Sequence, residues 1–298
     1  MPTLLFIQFS LLVITSLLFC GAFLLGLLHM KSVSRAMASA SIPTPHLPHQ
    51  ASMGIPARTL VIAGTLVGTA LLAWRAVSQS SLALAVSNPF DAFLLLALLL
   101  SLTLMYFRWT RHLRGLAFFL LPMIVILLAI GVFLSAIHLQ QGAESQDYHN
   151  VWYLIHVIAI ITSTLCFTLA CAGGIVYLIA DRQLRRKGLD TSHRWIGLPP
   201  LGSIEKFNRW MIYCGFPLLS IATVAGLLRI LQAHGQGTNS QPAAEGGGHT
   251  KIAFGILSWL VYAVLLHVPA SFRGRRAAWL SIIGFALFIA AYIAAKWS

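Results

Sequence analysis

Eight apolar stretches run along the chain, separated by polar and mostly basic intervals: Leu4–Leu28, Leu60–Ser78, Asp91–Phe107, Leu116–Ile137, Val151–Ala180, Trp210–Leu231, Ile252–Val268 and Ala277–Ala295. Most are of the length, about 17–25 residues, that crosses the hydrocarbon core of a bilayer as an α-helix. No segment shows the period-two alternation of a membrane strand, which argues against a β-barrel. The pattern predicts an all-α, polytopic membrane protein with about eight transmembrane helices.

Composition agrees with the pattern: 58% of residues are hydrophobic and 9% charged, far from a soluble domain. The few charges set an orientation. Lys31, Arg35 and Arg58 follow the first span, and Arg108, Arg111 and Arg114 follow the third. Arg182, Arg185, Arg186, Lys187, Arg194, Lys206 and Arg209 follow the fifth, and Arg273, Arg275 and Arg276 the seventh. Arg75, Arg229, Lys251 and Lys296 fall on the other side, so 16 of 20 basic residues occupy alternate loops. The positive-inside rule makes those loops cytoplasmic and turns both termini outward, as a multi-pass protein of the bacterial cytoplasmic (inner) membrane. The net charge of +13 follows from this topology and from anionic lipid headgroups, and does not indicate nucleic-acid binding.

Met1-Pro2-Thr3 lacks the basic n-region of a signal peptide, so the first span reads as a retained helix. Cys20, Cys166, Cys171 and Cys214 lie within spans, form no C-x-x-C pair and read as small packing residues. The Ser-, Pro- and His-rich interval His29–Arg58 reads as a flexible connector, and the spacing of His29, His46 and His49 matches no compact metal site. The Gly-rich interval Gln232–Thr250 reads as an outward-facing loop; its Gly246-Gly247-Gly248 run lacks the features of a phosphate cradle. Asp and Glu total seven, all in loops or at span ends, and no nucleophile–base pair or carboxylate dyad appears, so no classical enzyme is indicated.

Two histidines stand out, because an ionisable group in a span is costly and marks a functional candidate. His156 lies just inside the fifth span from the outside, on a helical face continued by the small residues Ser163, Ala170 and Gly174. His267 ends the seventh span on the inside. His138, His149, His234 and His249 stand on the outer side, with Arg75, Arg229 and Lys251 as basic groups of anchoring type that could also pair with carboxylates of a ligand. Asp91, at the outer start of the third span, reads as a helix N-cap.

From about Asn88 onward these landmarks fall in an order that resembles the CcsA-type cytochrome c assembly family, which includes CcmC and the HemX-like and YpjD-like membrane proteins. Ser87-Asn88-Pro89-Phe90-Asp91 opens the third span, and Trp152-Tyr153-Leu154-Ile155-His156-Val157 resembles the family's Trp-Leu-Xaa-Xaa-His-Val opening. Leu198-Pro199-Pro200-Leu201, Glu205, Asn208 and Gly215-Phe216-Pro217-Leu218-Leu219 resemble its Leu-Pro … Gly-Phe-Pro stretch. Trp259 to Ala263, Leu266-His267 and Gly274-Arg275-Arg276-Ala277-Ala278-Trp279 resemble its last pair of helices. The chain divides accordingly into a two-helix lead, residues 1–85, and an assembly-like six-helix region, residues 86–298.

The resemblance implies a membrane component of cytochrome c biogenesis that binds haem b and presents it on the outer side to apocytochrome c. A second cytochrome c assembly membrane subunit is the implied partner. His156 matches the family's first outer-facing haem histidine, and His267 a histidine near the cytoplasmic end of a span. At about 1.5 Å per helical residue the two lie on the order of 20 Å apart in depth and cannot ligate one iron. His138 and His249 head the outer histidines able to supply a second axial bond. Where the family carries its Trp-rich outer-loop motif this chain reads Glu245-Gly246-Gly247-Gly248-His249-Thr250-Lys251, and Lys296-Trp297-Ser298 hold no terminal histidine. These differences point to an accessory member close to the short HemX-like and YpjD-like proteins. A HemX-like regulatory or scaffolding protein without bound haem, and a small-molecule transporter, are the alternative readings.

Overall fold

The computed structural model describes residues 2–39, 55–78, 89–109, 114–141, 151–185, 200–235, 247–267 and 274–297. Among them it forms eight helices: α1 Pro2–Ser39, α2 Ile55–Ser78, α3 Pro89–Trp109, α4 Arg114–Gln141, α5 Val151–Arg185, α6 Leu201–Gly235, α7 Gly247–His267 and α8 Arg275–Trp297. Each carries one of the apolar stretches, of which Val268 alone lies outside the described residues. Ile55–Ser78, Val151–Arg185 and the Leu201–Leu228 part of α6 are long and apolar enough to cross a membrane, and Val13–His29, Asp91–Phe107, Phe119–Phe133 and Gly255–His267 are shorter apolar segments.

The helices outrun the stretches. α1 continues to Ser39, so His29, Lys31 and Arg35 lie on helix rather than in a connector, while His46 and His49 are outside the described residues. α6 begins nine residues before Trp210, and Gly247–Thr250 belong to the first turn of α7 rather than to a loop. Apolar sequence marks where a helix meets lipid, but helical hydrogen bonding continues into polar ends. Pro200, at the start of α6, leads in with its carbonyl, which accepts from Ser203 N at 2.9 Å and Ile204 N at 3.2 Å. Gly274 opens α8 with φ of 87°, and its carbonyl accepts from Ala278 N at 3.0 Å. That positive φ is open to glycine at little steric cost.

α5 is the axis of the packing. It lies along α6 and against α8, and touches α3 and α4; α7 pairs with α8 and α6, and α1 with α2 and α4. One apolar core gathers Phe19 of α1, Val61 and Leu71 of α2, much of α3 and α4, and Leu169 and Val176 of α5. The first two helices therefore share a core with the rest. A second core joins Phe167 of α5, Ile212 and Leu219 of α6, Tyr262 of α7 and Phe288 of α8. At its centre Phe167 and Tyr262 stack with centroids 3.7 Å apart and planes 11° from parallel, and Phe288 meets Phe167 edge-on at 6.1 Å.

Small residues let the backbones come close. A Cβ on Gly174 would lie 2.6 Å from Ser281 Oγ and 2.9 Å from the Ala278 carbonyl oxygen of α8. One on Gly215 would lie 2.9 Å from both Cys166 Cβ and the Phe167 ring of α5. Hydroxyls bridge the other seams: Thr65 Oγ1 lies 3.1 Å from Ser101 Oγ between α2 and α3, and Ser258 Oγ donates to the Gly284 carbonyl at 3.3 Å between α7 and α8. Close backbones and interhelical polar contacts are how helices associate where lipid offers no hydrophobic drive. All four cysteines are free thiols, Cys171 buried and Cys214 exposed on the outside of the bundle.

Gly174→Ala forces α5 and α8 apart and should cost about 1–3 kcal/mol, the usual penalty of overpacking. Gly255→Ala, which meets nothing within 4 Å, should be neutral or slightly stabilising. Thermal unfolding of the two variants in detergent checks this; equal effects would show that α5–α8 contact does not limit stability.

Candidate functional site

His156 sits in the second turn of α5, half-buried, with its ring turned onto α6. Nδ1 lies 2.7 Å from the carbonyl oxygen of Ala222. A carbonyl only accepts, so Nδ1 carries the proton and donates, and the ring's basic lone pair is on Nε2. An acceptor of this kind behind the ring is what orients metal-ligating histidines and sets their tautomer. The ring fits because Gly226, one turn further along α6, has no side chain: a Cβ there would lie 3.0 Å from Nδ1 and 3.2 Å from Cε1.

Beside this notch α7 is tied to α6. Trp259 Nε1 donates to Ser220 Oγ at 3.0 Å, Ser220 Oγ lies 3.1 Å from the Phe216 carbonyl, and the Trp259 and Phe216 rings meet at 5.3 Å. Thus Phe216, of the Gly-Phe-Pro stretch, ties α7 to the helix that His156 leans on.

Arg75 and Asp91 correct the sequence reading. Asp91 does stand in the first turn of α3, but its carboxylate is fully buried and lies 2.6 Å from Arg75 Nε of α2, whose side chain is 18% exposed. Arg75 is thus engaged inside the bundle rather than anchored at an interface, and Asp91 does more than cap its helix. The signal was present in the sequence as an acid and a base at the same ends of successive antiparallel spans.

His267, the last residue of α7, is exposed and lies with Nδ1 2.8 Å from Ala263 O of its own helix. It is not brought to His156. The cavity wall beside Leu265 and Leu266 reaches α6 at Glu205 to Tyr213, whereas His156 meets α6 at Ala222 and Gly226. At 1.5 Å per residue the two levels are roughly 20 Å apart. His138 lies on α4, His234 on α6 and His249 on α7, in stretches whose side chains are outside the described set; the same holds for Arg229 and Lys251. His149 lies outside the described residues altogether. Among the described residues no group of three or more His, Cys, Asp or Glu side chains converges on a metal-sized site.

Comparison with known proteins now settles the class. The model of the family described as Cytochrome C assembly protein matches residues 86–298. The chain belongs to that cytochrome c assembly family. The family match takes in α3 to α8 and therefore both His156 and its α6 notch. The chain is 24% identical over 258 residues to a cytochrome c biogenesis protein CcsA of Synechococcus sp. (strain RCC307), covering 78% of this chain and 79% of the relative. It is 32% identical over 95 residues to the protein of that name from Porphyra purpurea, covering 31% of this chain and 27% of the relative. A third CcsA, from Guillardia theta, is 24% identical over 157 residues, covering 48% and 50%. No solved structure matches the chain. Family and helical spans together make this a membrane protein of cytochrome c assembly.

Asp91→Ala should destabilise the assembly protein by about 3 kcal/mol or more, because it strands a largely buried guanidinium. Arg75→Met combined with Asp91→Leu should recover most of that loss. Strictly additive losses in this double-mutant cycle would mean that the two side chains are not coupled.

Proposed function

We propose that this chain is a membrane component of cytochrome c biogenesis that handles haem as cargo and presents it on the outer side for attachment to apocytochrome c. It is an assembly factor rather than an enzyme. The observation that carries the reading is the His156–Ala222 bond, within the family-matched region. It leaves the imidazole in the tautomer whose Nε2 can take an axial position on iron. Haem iron brings the need for one or two such ligands, and a single oriented histidine fits one of them. The charge pattern assigns His138, His149, His234 and His249 to the same side of the membrane as His156, and one of them supplies the second. His267, at the other end, does not bind the same iron.

The sequence at Glu245–Lys251 contains no Trp, and so offers no indole surface on which a porphyrin would stack. This supports an accessory, HemX-like or YpjD-like member that holds haem loosely and works with a second membrane subunit. The same loss of stacking surface favours, as the second reading, a regulatory or scaffolding relative that binds none. The charge pattern supports eight spans in a bacterial cytoplasmic membrane with both termini outside.

Purified protein should show a Soret band with less than one haem per chain by pyridine haemochrome. His156→Ala should lose it, Gly226→Ala should weaken it by displacing the ring, and His267→Ala should keep it. No Soret band under any loading condition would leave the haem-free reading standing, and a band indifferent to His156→Ala would take the haem site away from His156. For orientation, a reporter fused after Ser298 should be active on the outer side; activity confined to the cytoplasm would reverse the topology.

A further inference from the structure

At the end of the bundle opposite His156, residues of α5 to α8 line a cavity of about 50 Å³ that is partly open to the outside. Its polar wall is Tyr177 of α5 with Glu205, Asn208 and Arg209 of α6, and Leu265 and Gly274 help to close it. Arg209 Nη2 donates to Glu205 Oε1 at 3.0 Å, and both side chains are about a third exposed, at 38% and 31%. That bond uses one of five guanidinium N–H groups and one acceptor position of the carboxylate. Asn208 differs: it is 7% exposed, and its Oδ1 is buried and accepts no hydrogen bond among the described residues. A buried amide oxygen without a donor is costly and calls for a partner.

Besides the phenol hydroxyls of Tyr177 and Tyr213, the wall presents one cation beside two acceptors, and the complement of these three is an anion tethered to a cationic hydrogen-bond donor. The depth narrows the choice. Arg182 and Arg185 end α5, Lys206 stands in the second turn of α6, and Arg275 and Arg276 open α8. These basic helix ends mark the headgroup layer, where pockets between spans take lipid heads. We propose that the cavity seats the head of an ethanolamine phospholipid, its phosphate on Arg209 and its ammonium on Asn208 Oδ1 and Glu205. A choline head carries no N–H to give Asn208, and a glycerol head has no cation for Glu205.

The test uses the full-length protein in detergent with equimolar ethanolamine, choline and glycerol phospholipids of identical acyl chains, read by native mass spectrometry. One ethanolamine lipid should be retained roughly tenfold over either competitor, equivalent to about 1.4 kcal/mol. Asn208→Leu and Glu205→Gln should each abolish the preference without changing helical content. Equal retention of the three heads by the unmodified protein overturns the proposal, whether or not the variants fold. So does a preference that survives in both variants. Soluble O-phosphoethanolamine binding as tightly as the lipid would overturn the lipid assignment, and displacement of the lipid by haem would assign the cavity to haem instead.

Discussion

Helix α5 can lie against α6 on one side and α8 on the other because no Cβ stands at Gly215 or Gly174. Had either position carried a methyl group, it would meet Cys166 and Phe167 in the first case, or the Ala278 carbonyl in the second. Much else depends on this close approach. The Phe167–Tyr262 stack needs α5 and α7 at near-contact through the second core, and the His156 ring reaches the Ala222 carbonyl only while α6 stays pressed along α5. In lipid, where apolar side chains gain little by leaving their surroundings, fit of this kind replaces the hydrophobic drive of a soluble core.

The same economy of side chain shapes the notch around His156. Gly226 makes room for an imidazole, and a main-chain carbonyl, already part of a helix, serves as its acceptor. A backbone acceptor cannot change rotamer or ionise, so the ring is held by rigid structure on both counts. The ties from Trp259 to Ser220 and from Phe216 to Trp259 add α7 to that support. The family relationship and the histidine therefore meet at a place where three helices are fixed together.

What could be read from the chain alone was governed by range. The number and type of elements were legible, because each apolar stretch carries its own signal. The helix ends were not: Lys31 and Arg35 are polar enough to suggest a loop, yet they continue α1, and Leu201–Arg209 extend α6 ahead of its apolar part. His156 was visible as an ionisable residue out of place, but its partner is a carbonyl, and carbonyls leave no mark in a sequence. Asp91 looked like a cap because its local context fits one; its partner Arg75 lies on the preceding helix, across a turn. Asn208 was noticed as part of a pattern, and only its burial beside the Glu205–Arg209 pair gives it a chemical need.

The close seams at Gly174 and Gly215 also govern how the bundle can move. At Gly174 the α8 backbone itself faces α5, and at Gly215 the α6 backbone sits directly on Cys166 and Phe167, so α5 has little room to part from either helix locally and the helices would move as whole bodies. A shift of α5 at either seam would therefore be transmitted along the whole helix. One end of the bundle carries the histidine notch and the other the Asn208 cavity, so a rigid-body movement of α5 would be felt at both at once.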